Sequence, residues 1–297
     1  MRLKRFDPSK LRVRSSRGGG GGGFPGGGMM RGGRGKLGCG GIVIMLIIAV
    51  VAGPEALQNF AGTGGVQQTG GTRGGQNAVI DAETVCNESE YALEACNGLV
   101  SLNETWSQVF ADQGVPFEDP ELDLFQDGGV NTRGCGSATS ASGPFYCPAD
   151  QTIYIDTSFY DQLARMAGTG GDFARYYVLA HEYGHHIQTI TGVSGQLRSL
   201  QQQNPRAANQ IQVLMELQAD CYAGVWAGRN RNLIEAGDME EGMRAASAIG
   251  DDTLQRNAGQ RINPEGFTHG TSEQRMQALQ LGFGGDDRQC DRIVERG

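Results

Sequence analysis

The chain has four histidines, and three fall in one hexapeptide, His181-Glu182-Tyr183-Gly184-His185-His186. The pattern His-Glu-x-x-His sets two imidazoles at i and i+4. On a helix these positions share a face, so His181 and His185 can bind one metal ion with Glu182 beside them. Neutral imidazole nitrogens suit Zn²⁺. His186 stands one residue further, about 100° around the helix, and is expected to miss the metal. A hydrolytic zinc site needs a third protein ligand and an open position for water. Glu216, 31 residues after His185 in Glu216-Leu217-Gln218-Ala219-Asp220, is the candidate. Glu216 and Asp220 again stand at i and i+4. Glu216 is expected to ligate zinc, while Asp220 accepts a hydrogen bond from the second ring nitrogen of a ligand histidine and fixes its tautomer. On spacing alone, both acids could equally be solvated helix residues.

These residue types define a reaction. Zinc lowers the pKa of bound water to about 7 in favourable sites. Glu182 would take the water proton as general base and pass it to a leaving amine. The developing oxyanion needs a further donor. His269, in Thr268-His269-Gly270-Thr271, is the candidate, in a loop before a helix. Arg275 is placed to pair with a site carboxylate or to brace that loop. Asp251-Asp252 lacks a surrounding Asp-x-Asp calcium loop and reads as a turn or cap.

The elements that must position these groups follow from hydrophobic spacing. Helices are predicted over 88–113, 158–167, 172–190, 207–229, 239–248 and 271–280. Short strands are predicted near Leu122–Phe125, Pro144–Cys147 and Thr152–Ile155, separated by Gly- and Ser-rich turns. Thr157 follows the last strand as a candidate helix cap. Strands followed by a run of helices indicate an α+β domain, expected over residues 79–297.

Composition divides the rest of the chain. Residues 1–75 hold 23 of the 48 glycines. Residues 1–36 carry ten basic side chains and one acid, a charge of +9; the chain as a whole is −8, so the remainder is −17. The basic Gly-rich stretch 1–36 is expected to be a disordered cytoplasmic tail. Residues 37–53 are uncharged, with an unbroken apolar run from Ile42 to Ala52, and read as a short transmembrane anchor; a cleaved signal peptide is the alternative. Residues 54–78 read as a flexible linker. The basic flank predicts a cytoplasmic N-terminus and an extracytoplasmic domain. No aromatic stacking pattern accompanies the basic tail, so nucleic acid is not an expected partner.

Cysteine usage fits an exported domain. Six cysteines follow the apolar run: Cys86, Cys96, Cys135, Cys147, Cys221 and Cys290. An even number in an oxidising compartment suggests disulfides. Six allow 15 pairings; the local choice is Cys86–Cys96 and Cys135–Cys147, which leaves Cys221–Cys290 to tie distant parts together. Cys39 precedes the apolar run, which does not suit a lipoprotein acceptor.

His181-Glu182-x-x-His185 with Glu216-x-x-Ala-Asp220 resembles the gluzincin pattern of thermolysin-like metallopeptidases. More closely, the chain resembles the neutral zinc metallopeptidase family of bacterial membrane proteins. Besides the histidine and Glu216–Gly224 motifs, the matching segments are 143–150, Ile153-Tyr-Ile-Asp156, 248–252 and 267–275; together with the N-terminal anchor they span nearly the whole chain. The resemblance implies a zincin-like fold, Zn²⁺ and hydrolysis of a peptide or protein substrate. By the same analogy, strand 151–156 would lie at the edge of the cleft and pair with substrate, although an ordinary sheet strand fits it as well. The alternative function is a non-catalytic envelope binding protein with a structural zinc.

Overall fold

The computed structural model describes residues 1–17, 81–126 and 129–295. The first strand, β1 (Val13–Arg17), precedes two helices, α1 (Ala82–Cys86) and α2 (Glu90–Asp112). Each helix begins at a residue whose side chain satisfies an unpaired backbone donor: Asp81 accepts from Thr84 N and Ser89 from Ala92 N. Then come β2 (Glu121–Gln126), β3 (Gly129–Asn131), β4 (Ser137–Thr139), β5 (Phe145–Cys147) and β6 (Thr152–Asp156). The sheet runs β1-β2-β6-β5, with β1, β2 and β6 parallel and β5 antiparallel on the far edge; β3 and β4 form a separate hairpin. Eight helices follow: α3 (Phe159–Ala167), α4 (Asp172–Ile190), α5 (Val193–Gln203), α6 (Ala208–Arg229), α7 (Asp238–Ala248), α8 (Asp251–Asn257), α9 (Ser272–Gly282) and α10 (Arg288–Val294). This is the expected α+β arrangement, mostly helical after a small sheet.

The core joins sheet and helices. Leu99 and Trp106 of α2, Ile153 and Ile155 of β6, Tyr177 of α4 and Trp226 of α6 are all buried in one cluster. Helix α4 is central and packs on α2, α6 and α7. Two glycines allow the helices to meet at backbone distance. A Cβ on Gly184 of α4 would lie 2.8 Å from Ala219 Cα of α6. One on Gly282 of α9 would overlap Cys221 O of α6. Glycine costs about 0.5–1 kcal/mol inside a helix relative to alanine; here its missing side chain is what admits the neighbour.

The three expected disulfides are formed: Cys86–Cys96, Cys135–Cys147 and Cys221–Cys290. The cap expected at Thr157 is not made. Helix α3 follows Ser158, whose N–H donates to Asp156 Oδ1.

The larger correction concerns the N-terminus. Residues 1–17 are part of the folded domain, not a disordered tail. Val13 pairs with Leu122 and Arg17 with Gln126 along β2. Phe6 packs on the Cys86–Cys96 disulfide and Val100. Arg14 donates to Asp123, a carboxylate with no exposed surface, which also accepts from Ser16 N and Oγ. The Met1 ammonium lies 2.9 Å from Asp172 and 3.1 Å from Asp238. The physical reason lies in the segment's composition. Glycine begins at Gly18, so residues 1–17 have side chains to bury, and their positive charge meets an acidic domain.

The expected span 37–53 and linker 54–78 lie outside the described residues, as does the rest of the tail from 18 to 36. No helix among the described residues is long and apolar enough to cross a membrane. Strand β1 adds a constraint: pairing with β2 puts residues 1–17 on the same side of any membrane as residues 81–295. A single crossing between them would pull β1 from the sheet. The expected tail inside and domain outside therefore do not describe this fold. Single cysteines placed at exposed Ser9 and Ser199 should react alike with a membrane-impermeant maleimide in intact cells. Labelling of one but not the other would mean that β1 is not docked in the cell.

Candidate metal centre

The histidines of α4 meet the acids of α6 because the two helices touch at Gly184 and Ala219. His181 Nε2 lies 3.2 Å and His185 Nε2 3.5 Å from the same oxygen, Glu216 Oε2. One donor atom from each residue falls within 4.8 Å of the others. The opposite ring nitrogens are engaged elsewhere. His181 Nδ1 is 2.8 Å from Asp220 Oδ1, and His185 Nδ1 is 2.8 Å from Gln188 Oε1. With each Nδ1 held, both Nε2 atoms turn toward one point, the orientation that ligand histidines need. Two imidazoles and a carboxylate fit zinc. The residues anticipated as ligands are thus brought together.

The supports extend outward. Gln188 donates to Met215 O at 2.7 Å and to Gln218 Oε1 at 3.0 Å, and Gln212 donates to Glu216 Oε1 at 2.8 Å. Asp220 and Arg275 are both buried. Arg275 gives Nε to Asp220 Oδ2 at 2.8 Å and Nη2 to Oδ1 at 2.9 Å. Tyr177 also donates to Asp220 Oδ1, at 2.6 Å. Arg275 was expected to reach either a site carboxylate or the His269 loop; it takes the carboxylate.

Charge is concentrated here. Burial lowers the His181 pKa, but Asp220 and Glu216 outweigh it and lift it to about 10. Burial also acts against the charged form of Glu216, yet His185, His269 and His181 hold its carboxyl well below the usual range. Burial opposes ionisation of Asp220 as well, and Arg275 and His181 overcome it. Both histidines must be neutral to ligate a metal, so metal would replace protons at this centre.

A cleft of about 440 Å³ opens over the cluster. Glu182 lines it beside His181 and His185, as does His269. His269 is positioned by Asp251, which has no exposed surface. Asp251 Oδ2 accepts the N–H groups of Thr268, His269 and Gly270 at 2.7, 2.7 and 3.0 Å. Its other oxygen lies 3.3 Å from His269 Nδ1. Burial raises the Asp251 pKa, but His269 and these N–H groups more than reverse this. The Asp251-Asp252 pair thus serves the site through Asp251, whereas Asp252 accepts from Ser272 N at the start of α9.

One expectation changes. Strand β6, residues 152–156, is hydrogen-bonded on both sides, to β2 and β5, and has no free edge. The edge beside the cleft belongs to β5, whose Phe145 and Tyr146 line it. His186 does miss the metal cluster, but it is wholly buried, with Nε2 2.7 Å from Glu118 O and Nδ1 3.1 Å from the Tyr146 hydroxyl. Burial pushes its pKa down to about 4. It therefore braces β5 as a neutral ring. Gln188, Gln212, Asp251 and Tyr146 were not anticipated. The two glutamines had a signal, since they stand at i+3 from His185 and i−4 from Glu216. Asp251 reaches His269 only through tertiary packing.

A second acid cluster, Asp172, Asp238 and Glu241, also has metal-ligand spacing. Its counter-ion is the Met1 ammonium.

The ligand set predicts about one zinc per full-length chain. Substituting Glu216→Ala should remove most of it after dialysis, as measured by atomic absorption. Unchanged occupancy would exclude Glu216 as an essential ligand.

Comparison with known proteins agrees with this geometry. The family described as "Putative neutral zinc metallopeptidase" matches residues 3–293. The uncharacterized protein YpfJ of Escherichia coli K12 is 42% identical over 261 residues, 86% of each chain. The uncharacterized protein Rv2575 of Mycobacterium tuberculosis H37Rv is 43% identical over 186 residues, 58% of this chain and 61% of its own. No solved structure matches. With nearly its whole length matched, the chain belongs to this zinc metallopeptidase family.

Proposed function

We propose that the protein is a zinc-dependent peptidase in which His181, His185 and Glu216 hold the metal and Glu182 is the general base. The observation that carries this reading is the convergence of both Nε2 atoms on Glu216 Oε2 at the floor of an open cleft. A structural zinc site is closed by four protein ligands. Here three donors face a cleft, and a carboxylate that ligation does not need stands next to them.

Zn²⁺ bound there would supply acidification of water and polarisation of the scissile carbonyl. The chain's own residues do the rest. An extended peptide adds along the free edge of β5, where main-chain pairing supplies binding. Glu182 takes the proton from the attacking water and delivers it to the leaving nitrogen. His269, fixed by Asp251, donates to the oxygen on which negative charge develops. Asp220 holds His181 in the tautomer that leaves Nε2 free, and Arg275 holds Asp220.

We also place the catalytic domain outside the cytoplasm. Its three disulfides favour an oxidising compartment. Membrane attachment through 37–53 is compatible with this fold when residues 1–17 stay on the domain's side.

Glu182→Gln keeps the shape of the site and removes its base. Hydrolysis of a peptide cleaved by the wild-type protein should fall by about 10²–10⁴-fold, with zinc content unchanged. Wild-type turnover in Glu182→Gln would show that another group takes the proton.

A further inference from the structure

The charge pattern of the cleft bears on which peptides it takes, and the inference rests on the peptidase reading. Arg198, on α5, is exposed and lines the cleft with Tyr146, Thr189 and Ser194. It is the one lysine or arginine among the described cleft-lining residues. Its guanidinium has neither a hydrogen bond nor a carboxylate partner among the described residues. By contrast, Arg14, Arg175 and Arg275 are each paired with a carboxylate.

The acids of the cleft cannot serve Arg198 without abandoning their own roles. They are Glu182 and Glu216, and Glu216 already faces the two histidines. Residues 37–80 carry one acid and one base, so the −17 belongs to residues 81–297, and with the +6 of residues 1–17 the folded domain carries −11. Such a domain repels anions at long range. A concave site nonetheless focuses the field of the charge it contains, and a planar guanidinium matches a carboxylate through two parallel hydrogen bonds.

We propose that Arg198 selects substrates that place a carboxylate on the α5 side of the cleft, beyond the C-terminal end of the metal helix. The carboxylate is supplied either by an Asp or Glu side chain or by the C-terminus of the peptide. In the first case the enzyme cuts within acidic segments; in the second it cuts near the end of a chain.

The test uses the zinc-loaded full chain and quenched-fluorescent peptides. One set varies Glu, Gln and Lys at each position flanking the scissile bond; each peptide is made with a free and with an amidated C-terminus. The wild-type protein should prefer Glu over Gln at one position, or the free over the amidated end, by about tenfold in kcat/KM. Arg198→Lys should keep the direction of that preference. Arg198→Glu should reverse it and favour the Lys or amidated peptide. Equal rates across both comparisons, or a preference unchanged in Arg198→Glu, would overturn the role of Arg198 while leaving the peptidase reading intact. Zinc-independent cleavage, or none of any peptide, would overturn the peptidase reading and this inference with it.

Discussion

The site depends on one buried ion pair. Asp220 has no exposed surface, and neither of its oxygens could remain charged there without donors. Arg275, also buried, meets both oxygens, and Tyr177 and His181 complete the shell of Oδ1. The pair ties α9 to α6, and His181 ties both to α4. Breaking a buried pair of this kind by removing one partner typically costs about 3–5 kcal/mol. The charges are therefore held in one arrangement, and that arrangement fixes the ring of a ligand histidine. What stabilises the helix junction also orients the metal site.

The remaining architecture follows from keeping these helices in register while leaving the cleft open. Gly184 and Gly282 let α4 and α9 approach α6 at backbone distance. The Cys221–Cys290 bridge ties α6 to α10. At the rim, Cys135–Cys147 joins the end of β5 to the segment between β3 and β4, and His186 holds Tyr146 from behind. Asp251 gives the His269 loop a comparable anchor through three backbone donors. His186 and Asp251 thus fix Tyr146 and the His269 loop without themselves lining the cleft, as a preorganised site requires.

The sequence was most informative where spacing within a helix determines geometry. His181 and His185, and Glu216 and Asp220, were legible because i and i+4 define a shared face. Helix 172–190 agrees with Asp172–Ile190 because its apolar positions and flanking glycines are local signals. Two disulfides were reached by choosing local pairs, and the third joins the two cysteines left over. The β1 strand was not legible because net charge grouped residues 1–17 with the glycine run that follows. Its burial depends on Asp123 and on β2, more than 100 residues away. The edge strand was misplaced for a similar reason: the order β1-β2-β6-β5 is a property of pairing between strands, and β6 alternates no differently from an edge strand. Asp251 carries no local mark at all, since its partners at 268–270 lie on another loop.

The central claim is that two imidazoles and one carboxylate, and no cysteine, form the metal centre. X-ray absorption at the zinc edge of the purified full chain tests it directly. The account predicts a shell of nitrogen and oxygen only, with the outer scattering of two imidazoles and first-shell distances of about 2.0–2.2 Å. A sulfur shell near about 2.3 Å, or a zinc shell without imidazole scattering, would contradict it.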